Sequence, residues 1–123
     1  MATVAYTRIQ PGAGEDIPTG VMLYQWTLAA SDDGVPVAAP QYSGKVVSID
    51  TGAGTVTMQG TLSLKSETPT WATLHDPASG DIVLGPGATE IRQVLEDCVQ
   101  IRPVNGAGGA AVIRLMINTT ARR

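Results

Sequence analysis

The chain has 123 residues, a formal net charge of −3 and only 15% charged side chains. That length fits one domain able to bury a core of its own, and the missing basic stripe speaks against nucleic acid as a partner. Cys98 is the single cysteine, so no internal disulfide framework exists.

No apolar run approaches the roughly 20 residues that cross a bilayer. The first residues, MATVAYTRIQPGAGEDIP, lack the apolar core and small-residue cleavage site of a signal peptide. A soluble protein made in the cytoplasm is expected. Fourteen glycines and eight prolines, with abundant threonine and valine, give a turn-rich, β-rich composition. Phenylalanine is absent, so the core is left to Val, Ile, Leu, Met and the few Trp and Tyr.

In chain order, residues 1–20 read as an extended N-terminal arm. Pro11, Gly12, Gly14 and Pro18 exclude a regular helix. Such an arm buries too little apolar surface to offset its ordering entropy, so something outside its own domain is expected to hold it. Val21 to Leu28 is the first convincing strand, with Met22, Tyr24, Trp26 and Leu28 on one face and Gln25 and Thr27 on the other. Asp33-Gly34 is a turn dipeptide, and Pro36 and Pro40 exclude a central strand there. KVVSID and TVTMQG, separated by TGAG, read as a β-hairpin, with Val56, Met58 and Gly60 alternating against Thr55, Thr57 and Gln59.

Leu62 and Leu64 continue on one face before a polar turn through Glu67, Thr68 and Pro69. WATLHD is a short strand with Trp71, Thr73 and His75 on one face and Ala72 and Leu74 on the other; Asp76-Pro77 ends it and DIVL returns as a hairpin. In GATEIRQVLEDC, Ile91, Val94 and Leu95 recur at helical spacing with Thr89 as N-cap, so a short covering helix is expected. DCVQIRPV and AAVIRLMINTT resume the alternation around the hairpin loop NGAGG, with Ile113, Leu115 and Ile117 on one face. The strands recur at intervals of about 8–12 residues. The fold class is all-β, an antiparallel β-sandwich or jelly-roll-like barrel of roughly seven to eight strands with one short helix. The domain spans 21–118, and 119–123 form a C-terminal tail.

Catalytic and metal chemistry find little to stand on. A triad from His75, Asp76 and a serine or Cys98 fails on geometry, because neighbours in a strand point to opposite faces. No nucleophile-elbow motif is present. Cys98 lies in an apolar-alternating run and reads as a core residue. Asp32-Asp33-Gly34 lacks the spacing and distal glutamate of a calcium loop, and one histidine with one cysteine does not make a zinc site. The clusters PGAGED, TGAGT, LGPGA and NGAGGA lack the lysine of a phosphate loop and read as hairpin loops. Trp26, Trp71 and Tyr42 are available for sugar stacking, although the two tryptophans sit on alternating strands and read as core anchors. No catalytic residue, metal ligand or cofactor is assigned.

Trp71, Leu74, Asp76, Pro77 and Gly80, then Val94, Leu95 and Glu96, then Ile101, Arg102 and Pro103 form an ordered pattern. Upstream, YQWTL leads through a D-x-G-x-P loop to KVVSI. Across residues 21–118 this resembles small β-sandwich virion proteins of tailed bacteriophages, of the capsid decoration or cement type. One departure is KSETPTW, where such proteins often carry an S-N-D-G turn before the tryptophan. The resemblance implies a non-enzymatic component of the outer capsid surface that bridges and stabilises the major capsid protein. It would act as a symmetric homo-oligomer, a trimer first and a dimer second. The arm and tail would supply the contacts, through Tyr6, Arg8, Ile9, Pro11, Ile17 and Pro18 at one end and Arg122 and Arg123 at the other. The alternative is a carbohydrate-binding or host-attachment module, a tail or head-fibre component.

Overall fold

A computed structural model describes residues 2–9, 21–38, 44–50, 52–64, 66–87 and 89–118. The described chain is all-β, with two sheets packed as a sandwich. In chain order the strands are β1 (Thr3–Val4), β2 (Thr7–Ile9), β3 (Val21–Leu28), β4 (Asp33–Gly34), β5 (Val37–Ala38), β6 (Lys45–Ile49), β7 (Val56–Thr61), β8 (Ala72–Thr73), β9 (Val83–Leu84), β10 (Glu90–Gln93), β11 (Gln100–Asn105) and β12 (Ala111–Asn118). One sheet, A, runs β1-β4-β11-β7-β8, with β5 also on β11 and β9 also on β7. The other, B, runs β10-β6-β12-β3-β2.

The alternation that marks the strands also builds the core. Trp26, Leu28, Val47, Ile49, Ile113, Leu115 and Ile117 project inward from sheet B, against Val37, Val56, Met58, Ile101, Leu84 and the adjoining Leu74 and Ile82 from sheet A. Strands β3 and β12 pair along their whole length, Leu28 opposite Ala111 and Val21 opposite Asn118. Trp26 is fully buried, and its indole N–H donates to the Val35 carbonyl at 3.0 Å. Gly34 lets that ring approach: a Cβ there would lie 2.6 Å from Pro103 Cδ and 2.6 Å from Trp26 Cδ1.

Several expectations are corrected. The segment from 90 onward is no helix: it forms edge strand β10 against β6, then runs irregularly to 99. Its N–H groups are claimed from outside, Val94 donating to the Lys45 carbonyl and Leu95 to the His75 carbonyl. Two flanking segments thus supply the acceptors that a helix would find four residues back. Strands β6 and β7 are not a hairpin either. They lie in opposite sheets, and the loop between them bonds to the start of β12 and the loop before it, through Asp50 N–H to Val112 O and Gly54 N–H to Ala110 O. The loop between β11 and β12 likewise changes sheets. Period two identifies which face is buried but not which strand is the neighbour. Leu62 and Leu64 leave the sheet and stand 74% and 60% exposed.

The described part of the arm is held by its own domain. Strand β1 lies parallel to β4, β2 pairs with β3, and Tyr6 packs edge-on against Tyr24. The Asp32 carboxylate accepts from Ala2 N–H at 3.0 Å and from Ala29 N–H at 3.0 Å, pinning the chain start to the β3–β4 turn. Residues 10–20 lie outside the described part.

Candidate functional site

The hairpin around Asp76 is built from side-chain-to-backbone bonds. One Asp76 oxygen accepts from Ala78 N–H and Gly80 N–H, both at 3.0 Å, an Asx turn that explains the sequence D-P-A-S-G. The other oxygen accepts from Arg92 at 3.0 Å, and Arg92 also pairs with Glu90 at 3.1 Å. Glu90 in turn accepts from Gly85 N–H at 2.9 Å. Arg92 therefore fastens the edge strand of sheet B to a hairpin of sheet A. The Gly80 N–H, with Ala78 and Arg92 behind it, holds the Asp76 carboxyl below its ordinary range. Gly85 N–H, helped by Arg92, does the same for Glu90.

His75 is clasped twice. Its backbone N–H donates to Glu96 Oε1 at 2.8 Å, its ring Nδ1 meets Glu96 Oε2 at 2.5 Å, and Nε2 lies 3.2 Å from Asp81 Oδ1. The Glu96 hydrogen bond raises the imidazole pKa, and the charges of Glu96, Asp81 and Asp76 add to it against desolvation. For Glu96, desolvation pushes upward but the two His75 bonds outweigh it, leaving the carboxyl low. Asp76, the sequence neighbour, turns to its own loop and Arg92. Glu96, 21 residues away, is the histidine's real partner. Cys98 is buried, and desolvation pushes its thiol upward. Among the described residues no three His, Cys, Asp or Glu side chains group as metal ligands.

The outer faces of the two sheets differ in chemistry. On sheet A, Arg102 donates to Gln59 Oε1 at 3.0 and 2.8 Å, lies 3.7 Å from Asp33, and stacks 4.3 Å over the Trp71 ring. Trp71 is thus no core anchor; the buried residue of its strand is Leu74. On sheet B, register places Ile9, Leu23, Met116 and Val46 in one cross-strand row on the solvent side. The next row holds Thr7, Gln25, Arg114, Ser48 and Ile91. Ile91 and Met116 stand 71% and 37% exposed and, with Leu23, Val46 and Arg114, line a shallow depression of about 320 Å³.

Of the residues expected to bind a partner, Ile9 reaches this apolar row. Tyr6 is turned inward, its ring 5.2 Å from Tyr24 and 5.9 Å from Trp26. Arg8 lies opposite Tyr24 in the ladder; burial raises the Tyr24 hydroxyl pKa and the Arg8 charge opposes that rise. Pro11, Ile17, Pro18, Arg122 and Arg123 lie outside the described residues, as does Tyr42. Sequence reasoning missed Leu23, Val46, Ile91, Arg114 and Met116. The available signal was an apolar residue on the solvent side of strands whose other side was already apolar.

No family model matches the chain, and no curated protein matches it. Solved structures do. Peruvianin-I, a cysteine peptidase from Thevetia peruviana latex, is 15% identical with a TM-score of 0.52 over 95% of this chain and 62% of its own. A recombinant oxalate oxidase in complex with glycolate is 18% identical, TM-score 0.52, over 94% of this chain and 51% of its own. The chain therefore spans about three-fifths and half of these two proteins. At such identities the likeness shows a shared all-β fold. It also corrects the expectation that the chain is no enzyme: both proteins carry enzyme names on this fold, so the architecture gives no ground for setting catalysis aside.

Proposed function

We propose that the chain is a structural virion protein of a tailed bacteriophage that decorates the outer capsid surface and bridges major capsid protein subunits. The observation that carries this reading is the meeting in space of the residues on which the resemblance rests. Trp71 stacks on Arg102, Asp76 closes the turn onto Gly80, Glu96 clasps the strand of Leu74, and Ile101 packs in the core. Residues up to 31 positions apart form one interlocked unit, which is what a shared scaffold requires of a dispersed pattern. A two-sheet body with long paired strands also suits a protein that must hold its shape while neighbouring subunits pull on it.

The test is sedimentation of the full chain with undecorated shells assembled from the same phage's major capsid protein. Saturable co-sedimentation and a higher shell disassembly temperature are expected. Failure to bind at micromolar concentration would refute the proposal. A second reading, glycan attachment, is favoured by Trp71, whose ring stands outside the core beside Arg102, Gln59 and Asp33. Because Trp26 is fully buried, a polysaccharide titration followed by tryptophan emission reports on Trp71. A saturable change without shell binding would move the assignment to this reading.

A further inference from the structure

We propose that copies of this chain associate head to tail, the loop after β7 in one copy docking its exposed leucines into the depression on sheet B of another. The loop runs on from Thr61 and presents Leu62 and Leu64, 74% and 60% exposed. It is braced by its own hydrogen bonds. Ser63 N–H donates to Thr61 Oγ1 at 3.0 Å and Thr70 N–H to Ser63 Oγ at 3.1 Å. Leu64 N–H donates to Glu67 Oε1 at 2.6 Å, and Glu67 N–H returns to the Leu64 carbonyl at 2.9 Å. Apolar side chains presented on a braced loop have less freedom to lose on docking, and neighbouring large apolar groups left in water mark a contact surface.

Charge complementarity selects a second copy as the occupant. On the outward strand positions of sheet B the only charged side chain is Arg114. Its Nε donates to Gln25 at 2.8 Å, while its terminal nitrogens have no acceptor among the described residues. Around it Leu23, Val46, Ile91 and Met116 line the depression of about 320 Å³. The receptor is thus apolar, with one cation at its rim. The loop offers the complement: two leucines and, folded back against Leu64, the Glu67 carboxylate. Its Oε1 is taken by Leu64 N–H, and its Oε2 has no donor among the described residues. The loop's other charged residue, Lys65, lies outside the described part.

Topology prevents a chain from filling its own depression. The loop leaves β7 in sheet A, whereas the depression lies on the solvent side of sheet B, with the core between them. Each copy therefore offers one loop and one receptor to different neighbours, a heterologous contact that closes into a ring where the rotation permits. Each Arg114 then faces a Glu67, and no two Arg114 side chains meet. A loop seated in a shallow depression covers well under the roughly 1,200–2,000 Å² of a stable interface, so association at about 0.1–1 mM is expected.

Heteronuclear NMR of the isotope-labelled full chain, diluted through that concentration range, tests this. The amide signals of Leu62, Leu64 and Glu67 should shift together with those of Leu23, Val46 and Ile91, while Val83 and Val104 on sheet A stay fixed. Leu64→Lys and Ile91→Asp, at positions 60% and 71% exposed and so tolerated by the fold, should each abolish both sets of shifts. Arg114→Glu should weaken association at least fivefold. Labelled Leu64→Lys keeps its receptor and unlabelled Ile91→Asp keeps its loop. Mixing the two should bring back shifts at the depression of the labelled chain and leave its loop silent. No dependence on concentration, shifts at one patch without the other, indifference to Arg114→Glu, or a mixture that behaves as its separate components would each overturn the proposal.

Discussion

Replacing Gly34 by alanine should be among the most damaging one-carbon changes in this protein. The added Cβ would stand 2.6 Å from Pro103 Cδ, 2.6 Å from Trp26 Cδ1 and 2.6 Å from Trp26 Nε1. Neither neighbour yields easily: Pro103 is a ring locked into β11, and Trp26 is fully buried. Forcing a methyl into such a contact typically costs about 1–3 kcal/mol in displaced side chains. A displaced indole also loses its bond to the Val35 carbonyl, and a buried donor left unpaired costs about 1–3 kcal/mol more. The sum of about 2–6 kcal/mol corresponds to a Tm lowered by roughly 6–30 °C at this chain length. Gly106→Ala is the matched comparison, because the nearest atom to its added carbon is the Thr55 carbonyl oxygen at 3.4 Å, an ordinary contact. Urea unfolding followed by tryptophan emission measures both. Equal stability of the two variants would show that the packing of Trp26, Gly34 and Pro103 does not have the rigidity argued for it.

The acid–base cluster at the 71–82 hairpin should give stability a ceiling and a floor in pH. The raised pKa of His75 contributes stability fully present below its ordinary value of 6.5 and lost as pH climbs through the folded value. The lowered carboxyls of Asp76, Glu90 and Glu96 contribute stability present above their ordinary values of 3.8 and 4.5 and lost as pH falls through the folded ones. Their shared optimum lies between those limits, at mildly acidic pH. Thermal melts across pH 3–9 check it, and His75→Gln should remove the alkaline decline while leaving the acid limb. Lys45 is fully buried and bonded at 2.7 Å to Asp97, whose side chain is 61% exposed. Asp97→Asn weakens a charge-assisted bond to that buried cation and should cost about 1–3 kcal/mol by urea unfolding; unchanged stability would refute the bond's contribution.

The inward faces of β3, β6, β7, β11 and β12 were legible because each strand is amphipathic at period two, and Trp26, Val47, Met58, Ile101 and Ile113 are all buried as that period requires. The Asp76-Pro77 turn was legible from the capping chemistry of aspartate. What failed did so for physical reasons. Ile91, Val94 and Leu95 mimic a helical stripe over too few residues to separate it from an edge strand and its exit loop. Strand partners stayed hidden because alternation says nothing of register between distant segments, so two crossings between the sheets passed for hairpins. Trp71 looked like core by its alternation, yet an indole face covered by Arg102 needs no burial. The His75–Glu96 clasp spans 21 residues, and no local pattern announces such a pair.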